Sequence, residues 1–407
     1  MSKEKISFAV IGCGTVGSEV IRQFLAKKDS ELFSSFELKY VCEKYPKKEY
    51  NFPFPFDILC EDAQTAINDP EIKFIIELIG GINPAKEIII DALKKGKHVI
   101  TANKALLAEE GNEVFAEAHK AKRMIRYEAA VGGGMPVIRA LQENLSADEV
   151  VSFEGILNAT TNYILTRVNN FHETIKDSIK EAQKLGLAEQ DPSKDVEGID
   201  AAHKLALLAT TIDGCVPPFW SIKYKGIMDI TELDFQVAEK LGFTIKLIAK
   251  YVKNEILRVE PLMIPASNPL YSVDYELNGI NFNCENLGNI FISGAGGGGK
   301  PTAVSVLSDI LQIEKDIQLG SYIPALKSCK LMDNINFPNN YCIYKAGKDI
   351  SFATSLPLKQ KGVFKIENKE YAVAITEKIS DNELSKFSEV HTDLKVISIE
   401  LEKGDIS

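Results

Sequence analysis

Residues 6–17 read ISFAVIGCGTVG, and this stretch decides the fold. Apart from Ser7, residues 6–11 are a continuous apolar run, which suits a strand covered on both faces in a parallel sheet. The run breaks into Gly12-Cys13-Gly14-Thr15-Val16-Gly17. Val16, Val20, Ile21, Phe24 and Leu25 then recur at helical spacing. A strand, a glycine turn and a helix in that order form a dinucleotide-binding turn. Gly12 permits the tight turn, Gly14 lets backbone approach a pyrophosphate, and Gly17 lets the helix pack close to the sheet. Thr15 and Val16 offer backbone N–H groups at the helix N-terminus, where anions bind. Without its flanking strand and helix, the same spacing is only a glycine-rich turn.

Outward from this turn, strand and helix alternate. Further strands are expected at residues 38–42, 74–79, 98–101 and 124–129. One intervening helix should carry Asn83 as N-cap and Pro84 at its first position, where a missing N–H costs nothing. Alternation of this kind gives an α/β fold, a doubly wound parallel-sheet (Rossmann) nucleotide-binding domain. Glu43 ends the second strand. A carboxylate there can accept hydrogen bonds from the ribose 2′-OH of NAD and repels the 2′-phosphate of NADP. Lys44, Lys47 and Lys48 follow at once and could meet such a phosphate, so NAD or NADP stays open, with Glu43 favouring NAD.

The pattern changes beyond Pro136. A strand at 150–157 and helices at 160–168 and 174–185 precede a buried helix starting at Ile199. Strands at 243–252, 256–263, 280–284 and 290–293 follow, joined by short turns. This is an α+β domain, which the resemblance described below implies is the substrate and dimerisation domain. Residues 294–299, GAGGGG, lead into a helix at 302–313. The tail shows strands at 363–367, 371–376 and 394–400 around a helix at 382–389, a small C-terminal α+β module of unread purpose. The expected segments are 1–135 with 300–329 returning, 136–299, and 330–407.

Bulk properties narrow the function. The chain has 407 residues and a net charge of −10, which argues against nucleic acid or an anionic membrane as partner. No apolar run approaches the length of a membrane-spanning helix, and MSKEKISFAV turns directly into a strand rather than a signal peptide. Seven cysteines are scattered without CxxC spacing or a disulfide framework, which suits a reducing, cytoplasmic compartment. The five histidines are equally dispersed and suggest no zinc site.

Chemistry concentrates in residues 186–204, GLAEQDPSKDVEGIDAAHK. Asp191-Pro192 breaks any preceding helix. Asp195 is a good N-cap for the next one. Asp200 and Lys204 are four apart and share a helix face. On a wet face that pair is an ordinary salt bridge. Here it opens a helix apolar on nearly every side, with further carboxylates upstream, and such paired charges cluster at functional sites. A dinucleotide-dependent reaction that also moves a proton needs a group that can take and return that proton. Lysine serves where burial and neighbours favour its neutral form.

These residues carry a resemblance. Gly186, Leu187, Ala188, Glu189, Asp191, Pro192, Asp195, Gly198, Asp200, Ala201 and Lys204 resemble the substrate-binding segment of homoserine dehydrogenases. ELIGG at 77–81, TANKALLA at 101–108, YEAAVGGGMP at 127–136 and GILNATTNYIL at 155–165 agree in the family's order, over roughly residues 5–315. The resemblance implies that Lys204 moves the proton, Asp200 orients it, and Lys104 lies beside substrate and nicotinamide. It implies that Glu189, helped by Asp195, binds the substrate ammonium, and that Gly80 and Gly294 join Gly12, Gly14, Thr15, Val16, Gly17, Glu43 and Lys104 around the cofactor. It also implies a monovalent cation such as Na+ on backbone carbonyls of Glu128, Val131, Gly133 and Met135, and a homodimer or homotetramer. The glycine turn at 294–299 is about two residues longer than the usual pattern. The tail lacks the strand, D-x-P-G, helix string of the ACT regulatory modules that end many members.

Two other classes compete. A semialdehyde dehydrogenase working through a thioester needs an activated cysteine, and neither Cys215 nor Cys284 has flanking basic residues. A non-catalytic nucleotide sensor should have lost Glu189, Asp200 or Lys204, and all three are present.

Overall fold

The computed structural model describes residues 5–46, 49–329 and 338–401; Lys47 and Lys48 lie outside them. It forms two compact units. The first takes the chain up to Ala147 together with Ala206–Phe219 and Gly294–Cys329. Its parallel sheet runs Leu59–Cys60, Phe36–Cys42, Ile6–Ile11, Ile72–Glu77, His98–Thr101, Ile125–Arg126. In chain order this is 3-2-1-4-5-6, the doubly wound order whose reversal beside the first strand leaves a crevice for ligands. The apolar run explains the centre. Phe8 stacks on Phe74 at 5.0 Å and meets Phe24 edge-on at 4.9 Å, which fixes the helix Thr15–Lys27 over the sheet. The helix Gly299–Leu319 packs along Thr15–Lys27.

Local details depart from the sequence reading. The strand expected at 124–129 is only Ile125–Arg126, and Glu128–Ala130 turns instead into a 3-10 helix. The cause lies in the Glu128 carboxylate, which points inward to accept the N–H groups of Ile138 and Arg139. Pro84, not Asn83, occupies the cap position of the helix Ala85–Lys94, after a cis Asn83–Pro84 bond. Two of the scattered cysteines, in which no disulfide framework was read, form a disulfide, Cys215–Cys329. They are 114 residues apart in the chain, a separation no local spacing reveals.

The second unit takes Asp148–Leu205, Trp220–Ser293 and the chain beyond residue 329. Its sheet runs Gly288–Ala295, Leu277–Cys284, Val150–Ile156, Phe243–Val252, Ile256–Pro265, Lys395–Ile399, Asn340–Ala346, Lys369–Thr376, Leu358–Ile366. The described strands of the tail belong to this sheet. Its last strand pairs in parallel with Ile256–Pro265, Leu262 opposite Ser398 and Met263 opposite Ile399. Within the tail the order is strand, short helical turn Ser351–Ser355, two strands, helix Asp381–Val390, strand. That is a βαββαβ unit, formed without the D-x-P-G string. The strand Asn340–Ala346 had no counterpart in the sequence reading. Among the described residues no helix is long and apolar enough to cross a membrane.

Candidate active site

In the first unit, Gly12 sits at φ +100°, and a Cβ there would lie 2.8 Å from the Leu78 carbonyl carbon. A Cβ on Gly17 would lie 2.0 Å from the Gly12 carbonyl oxygen, so helix and strand approach as only glycine allows. Nothing lies within 4 Å of a Cβ on Gly14. This is the open backbone that a pyrophosphate needs, with Thr15 and Val16 opening the helix behind it. Glu43 is anchored beside this turn: its Oε2 accepts the Cys13 N–H at 2.7 Å and its Oε1 the Tyr45 N–H at 3.1 Å. The glycine turn at 294–299 comes back to the same place. A Cβ on Gly299 would lie 3.1 Å from the Thr15 carbonyl oxygen, and one on Gly294 would lie 3.1 Å from Met135 Cγ.

A second network lies along the strand ends. Glu77 is fully buried. It accepts from Thr101 Oγ1 at 2.6 Å, Ile79 N at 2.7 Å and Gly80 N at 3.2 Å, and so shapes the turn where Gly80 takes φ +80°. Asn103 caps the helix Lys104–Glu109 through Leu106 N, while its Nδ2 donates to the Gly81 carbonyl at 2.6 Å. Lys104 thereby stands half-buried at the first helical position. Sequence reasoning named Gly80 and Lys104 but missed Glu77 and Asn103, which hold them. The signal was available: a carboxylate ending a strand and an asparagine preceding a helix.

The glycine bend at 132–134 takes φ +74° at Gly132 and +58° at Gly133. A Cβ on Gly133 would lie 2.7 Å from the Gly296 carbonyl carbon and the Gly297 nitrogen, and the Gly133 carbonyl accepts from Ser305 Oγ at 2.6 Å. The Glu128 N–H donates to Asp309 at 3.0 Å. Burial raises both carboxyls, Asp309 to about 8, with the neighbouring Glu128 adding to its rise. Val131 is extended, and the Met135 N–H closes a turn onto the Gly132 carbonyl at 3.0 Å. Among the described residues no group of three or more His, Cys, Asp or Glu side chains could hold a metal ion.

In the second unit the loop and helix converge on a lysine. Asp195 is not the N-cap expected. It is the third residue of the short helix Ser193–Val196, and Asp191 instead accepts the Ser193 N–H at 3.1 Å. The helix Ile199–Asp213 starts afresh after Gly198 at φ +85°. Residues 200–210 are buried throughout. Asp200 and Lys204 are 7% and 8% exposed, with Nζ and Oδ2 2.7 Å apart. Lys204 Nζ also donates to the Leu157 carbonyl at 2.7 Å. Of its three N–H donors, these partners take two. Asn158 donates from Nδ2 to Asp195 Oδ1 at 2.6 Å and to Asp200 Oδ2 at 2.8 Å. Glu189 is exposed, on a loop held by Gln183 donating to the carbonyls of Glu189 and Gln190. Thr160 Oγ1 donates to the Leu187 carbonyl at 2.9 Å and ties this loop to the helix Ala159–Phe171. The unit therefore presents a buried lysine paired with Asp200, and Asn158 joins Asp200 to Asp195. Sequence reading missed Asn158 and the Leu157 carbonyl.

The chain matches two family models: "Homoserine dehydrogenase, NAD binding domain" over residues 12–128 and "Homoserine dehydrogenase" over residues 136–311. It is 38% identical over 321 residues to the homoserine dehydrogenase of Bacillus subtilis (strain 168), covering 77% of this chain and 74% of that one. With the enzyme of Helicobacter pylori it shares 35% over 373 residues, 89% of this chain and 84% of that one. The crystal structure of a homoserine dehydrogenase from Thiobacillus denitrificans superposes with a TM-score of 0.87 at 29% identity, covering 98% of both chains. That of the S. aureus enzyme at pH 7.5 gives 0.79 at 28%, covering 98% of this chain and 99% of that one. The glycine turn, the buried Asp200–Lys204 pair and these matches agree: the chain belongs to the homoserine dehydrogenase family of NAD(P)-dependent oxidoreductases.

Proposed function

We propose that the chain interconverts L-homoserine and L-aspartate 4-semialdehyde, with Lys204 moving the proton. The buried Lys204, held between Asp200 and the Leu157 carbonyl, carries this reading. Bound at the turn Gly12–Gly17, a nicotinamide cofactor supplies the hydride acceptor. Lys204, in its neutral form, takes the substrate hydroxyl proton as the carbonyl forms, and returns it in the reverse direction. Asp200 orients the lysine, and Lys104 contacts the substrate. Glu189 and Asp195 attract the substrate ammonium, since carboxylates pair well with a charged amine.

Within that reading, Gly12, Gly14, Thr15, Val16, Gly17, Gly80, Lys104 and Gly294 receive the cofactor, and the tethered Glu43 carboxylate favours NAD. Carbonyls of Glu128, Val131, Gly133 and Met135 take a monovalent cation such as Na+; the support is the oxygen-only donor set on a glycine bend. Segments 1–135 with 300–329 serve the cofactor and 136–299 the substrate, in a homodimer or homotetramer. A cytoplasmic location follows from the biosynthetic role, while the Cys215–Cys329 bond removes the cysteine argument for it. The test is reduction of NAD and of NADP by purified protein with L-homoserine from neutral to alkaline pH. A same-length alcohol lacking the amino group is the control. No cofactor reduction with L-homoserine would overturn the proposal.

A further inference from the structure

We propose that Asn158 is a positioning residue whose single amide group holds Asp195 and Asp200 together, linking the substrate anchor to the carboxylate that governs Lys204. The proposal rests on the roles assigned above to those three residues.

Three observations carry it. First, Asn158 is buried, and its orientation is fixed chemically. Its Oδ1 accepts the Thr161 N–H at 2.7 Å and the Thr161 hydroxyl at 2.9 Å, so the acceptor end must face the helix Ala159–Phe171. Consequently the NH2 end faces the carboxylates. Second, that end has two hydrogens, and two carboxylate oxygens lie within reach of it: Asp195 Oδ1 at 2.6 Å and Asp200 Oδ2 at 2.8 Å. Third, Asp200 Oδ2 is also the oxygen that pairs with Lys204 at 2.7 Å.

The physics follows directly. Two carboxylates gathered near one point repel each other unless a donor lies between them. A neutral amide supplies that donor without adding a charge that would compete for the substrate ammonium. By donating to Asp200 Oδ2, Asn158 also draws charge from the oxygen that holds the Lys204 proton. Without that hydrogen bond, Asp200 holds the proton more tightly. Oxidation, which needs neutral Lys204, then requires higher pH. Reduction, which needs protonated Lys204, persists to higher pH. Among the described residues, the charged groups joined by these bonds include Asp195 on the short helix and Asp200 and Lys204 on the long helix. His203 adjoins Lys204 on that helix, and Glu189 lies on the loop before it.

The test compares Asn158→Asp and Asn158→Ser in the full chain with wild type and Lys204→Ala. Both Asn158 variants keep an acceptor for the Thr161 cap. Aspartate has the same size but, when ionised, has no donor and adds a negative charge, whereas serine stays neutral and keeps one donor, so the serine variant separates the lost hydrogen bonds from the added charge. Asn158→Asp should raise KM for L-homoserine and lower kcat, together about tenfold to a hundredfold, as expected for losing hydrogen bonds to charged groups. It should also move the pH limbs of oxidation and reduction upward together, by about one pH unit. Asn158→Ser should show a smaller loss in the same direction. Unfolding curves of all variants establish that they are folded. If folded Asn158→Asp or Asn158→Ser keeps the wild-type pH limbs and KM while Lys204→Ala loses kcat, the positioning role is wrong and the assignment of Lys204 stands. If Lys204→Ala keeps kcat, the assignment itself fails, and this proposal with it.

Discussion

Replacing Lys204 with methionine tests the chemistry most directly. Methionine keeps an unbranched stem and deletes the charge and all three donors. The structure sets two separate magnitudes. Lys204 Nζ lies 2.7 Å from Asp200 Oδ2 in surroundings where both residues are under a tenth exposed. Removing one partner of a buried pair costs about 3–5 kcal/mol, a large share of a typical stability of about 5–15 kcal/mol. Thermal or urea unfolding should register that loss. Catalysis should fall independently, by about 10²–10⁴-fold in kcat in both directions, the usual contribution of an acid–base group. Cofactor affinity, measured by fluorescence titration, should hold, because the turn Gly12–Gly17 belongs to the other unit. The double variant Asp200→Asn with Lys204→Met separates the two effects. It removes both charges, so it should regain much of the stability and none of the activity. Should folded Lys204→Met retain kcat within tenfold of wild type, the proton-moving role is refuted. If Lys104→Ala loses it instead, the two lysines have the reverse of the assigned roles.

Two further outcomes are expected. Glu43→Gln should keep an acceptor for the Cys13 N–H, which now lies 2.7 Å from Oε2, but lose the charge that repels a 2′-phosphate. The ratio of kcat/KM for NAD over NADP should therefore narrow by about tenfold, the worth of one charge-assisted hydrogen bond, and a wild type that already prefers NADP would contradict it. Asp309→Asn should change how stability depends on pH. Burial pushes the Asp309 carboxyl up to about 8, so the folded state binds its proton more tightly than the unfolded chain does. The stability this contributes is complete below the ordinary carboxylate range near 4 and is lost as pH rises toward 8, about 1.4 kcal/mol per pH unit. Asparagine keeps an acceptor for the Glu128 N–H, 3.0 Å away, and does not titrate. Between pH 6 and 8 the variant should gain about 2 kcal/mol on the wild type in urea unfolding; parallel curves would refute it.

What the chain reveals by itself is what depends on neighbours in sequence. The turn Gly12–Gly17 needs only an apolar run before it and helical spacing after it, so both its fold and its ligand class were legible. Asp200 and Lys204 share a face because a helix repeats every 3.6 residues, and the apolar residues around them foretold burial. The resemblance supplied roles that spacing alone leaves open, such as Glu189 for the ammonium. Tertiary structure decided everything that joins distant segments. Asn158 reaches Asp195 and Asp200 across separations of 37 and 42 residues. Glu77 meets Thr101 across 24. The strand Lys395–Ile399 pairs with Ile256–Pro265, more than a hundred residues earlier, so the described tail strands join the sheet of the second unit. Asp195 shows the limit most plainly. Its residue type and place in the sequence suit a cap, yet its carboxylate is taken by the Asn158 amide. A short polar side chain can bond to backbone beside it or to a partner far along the chain, and only the folded arrangement determines which of the two is within reach.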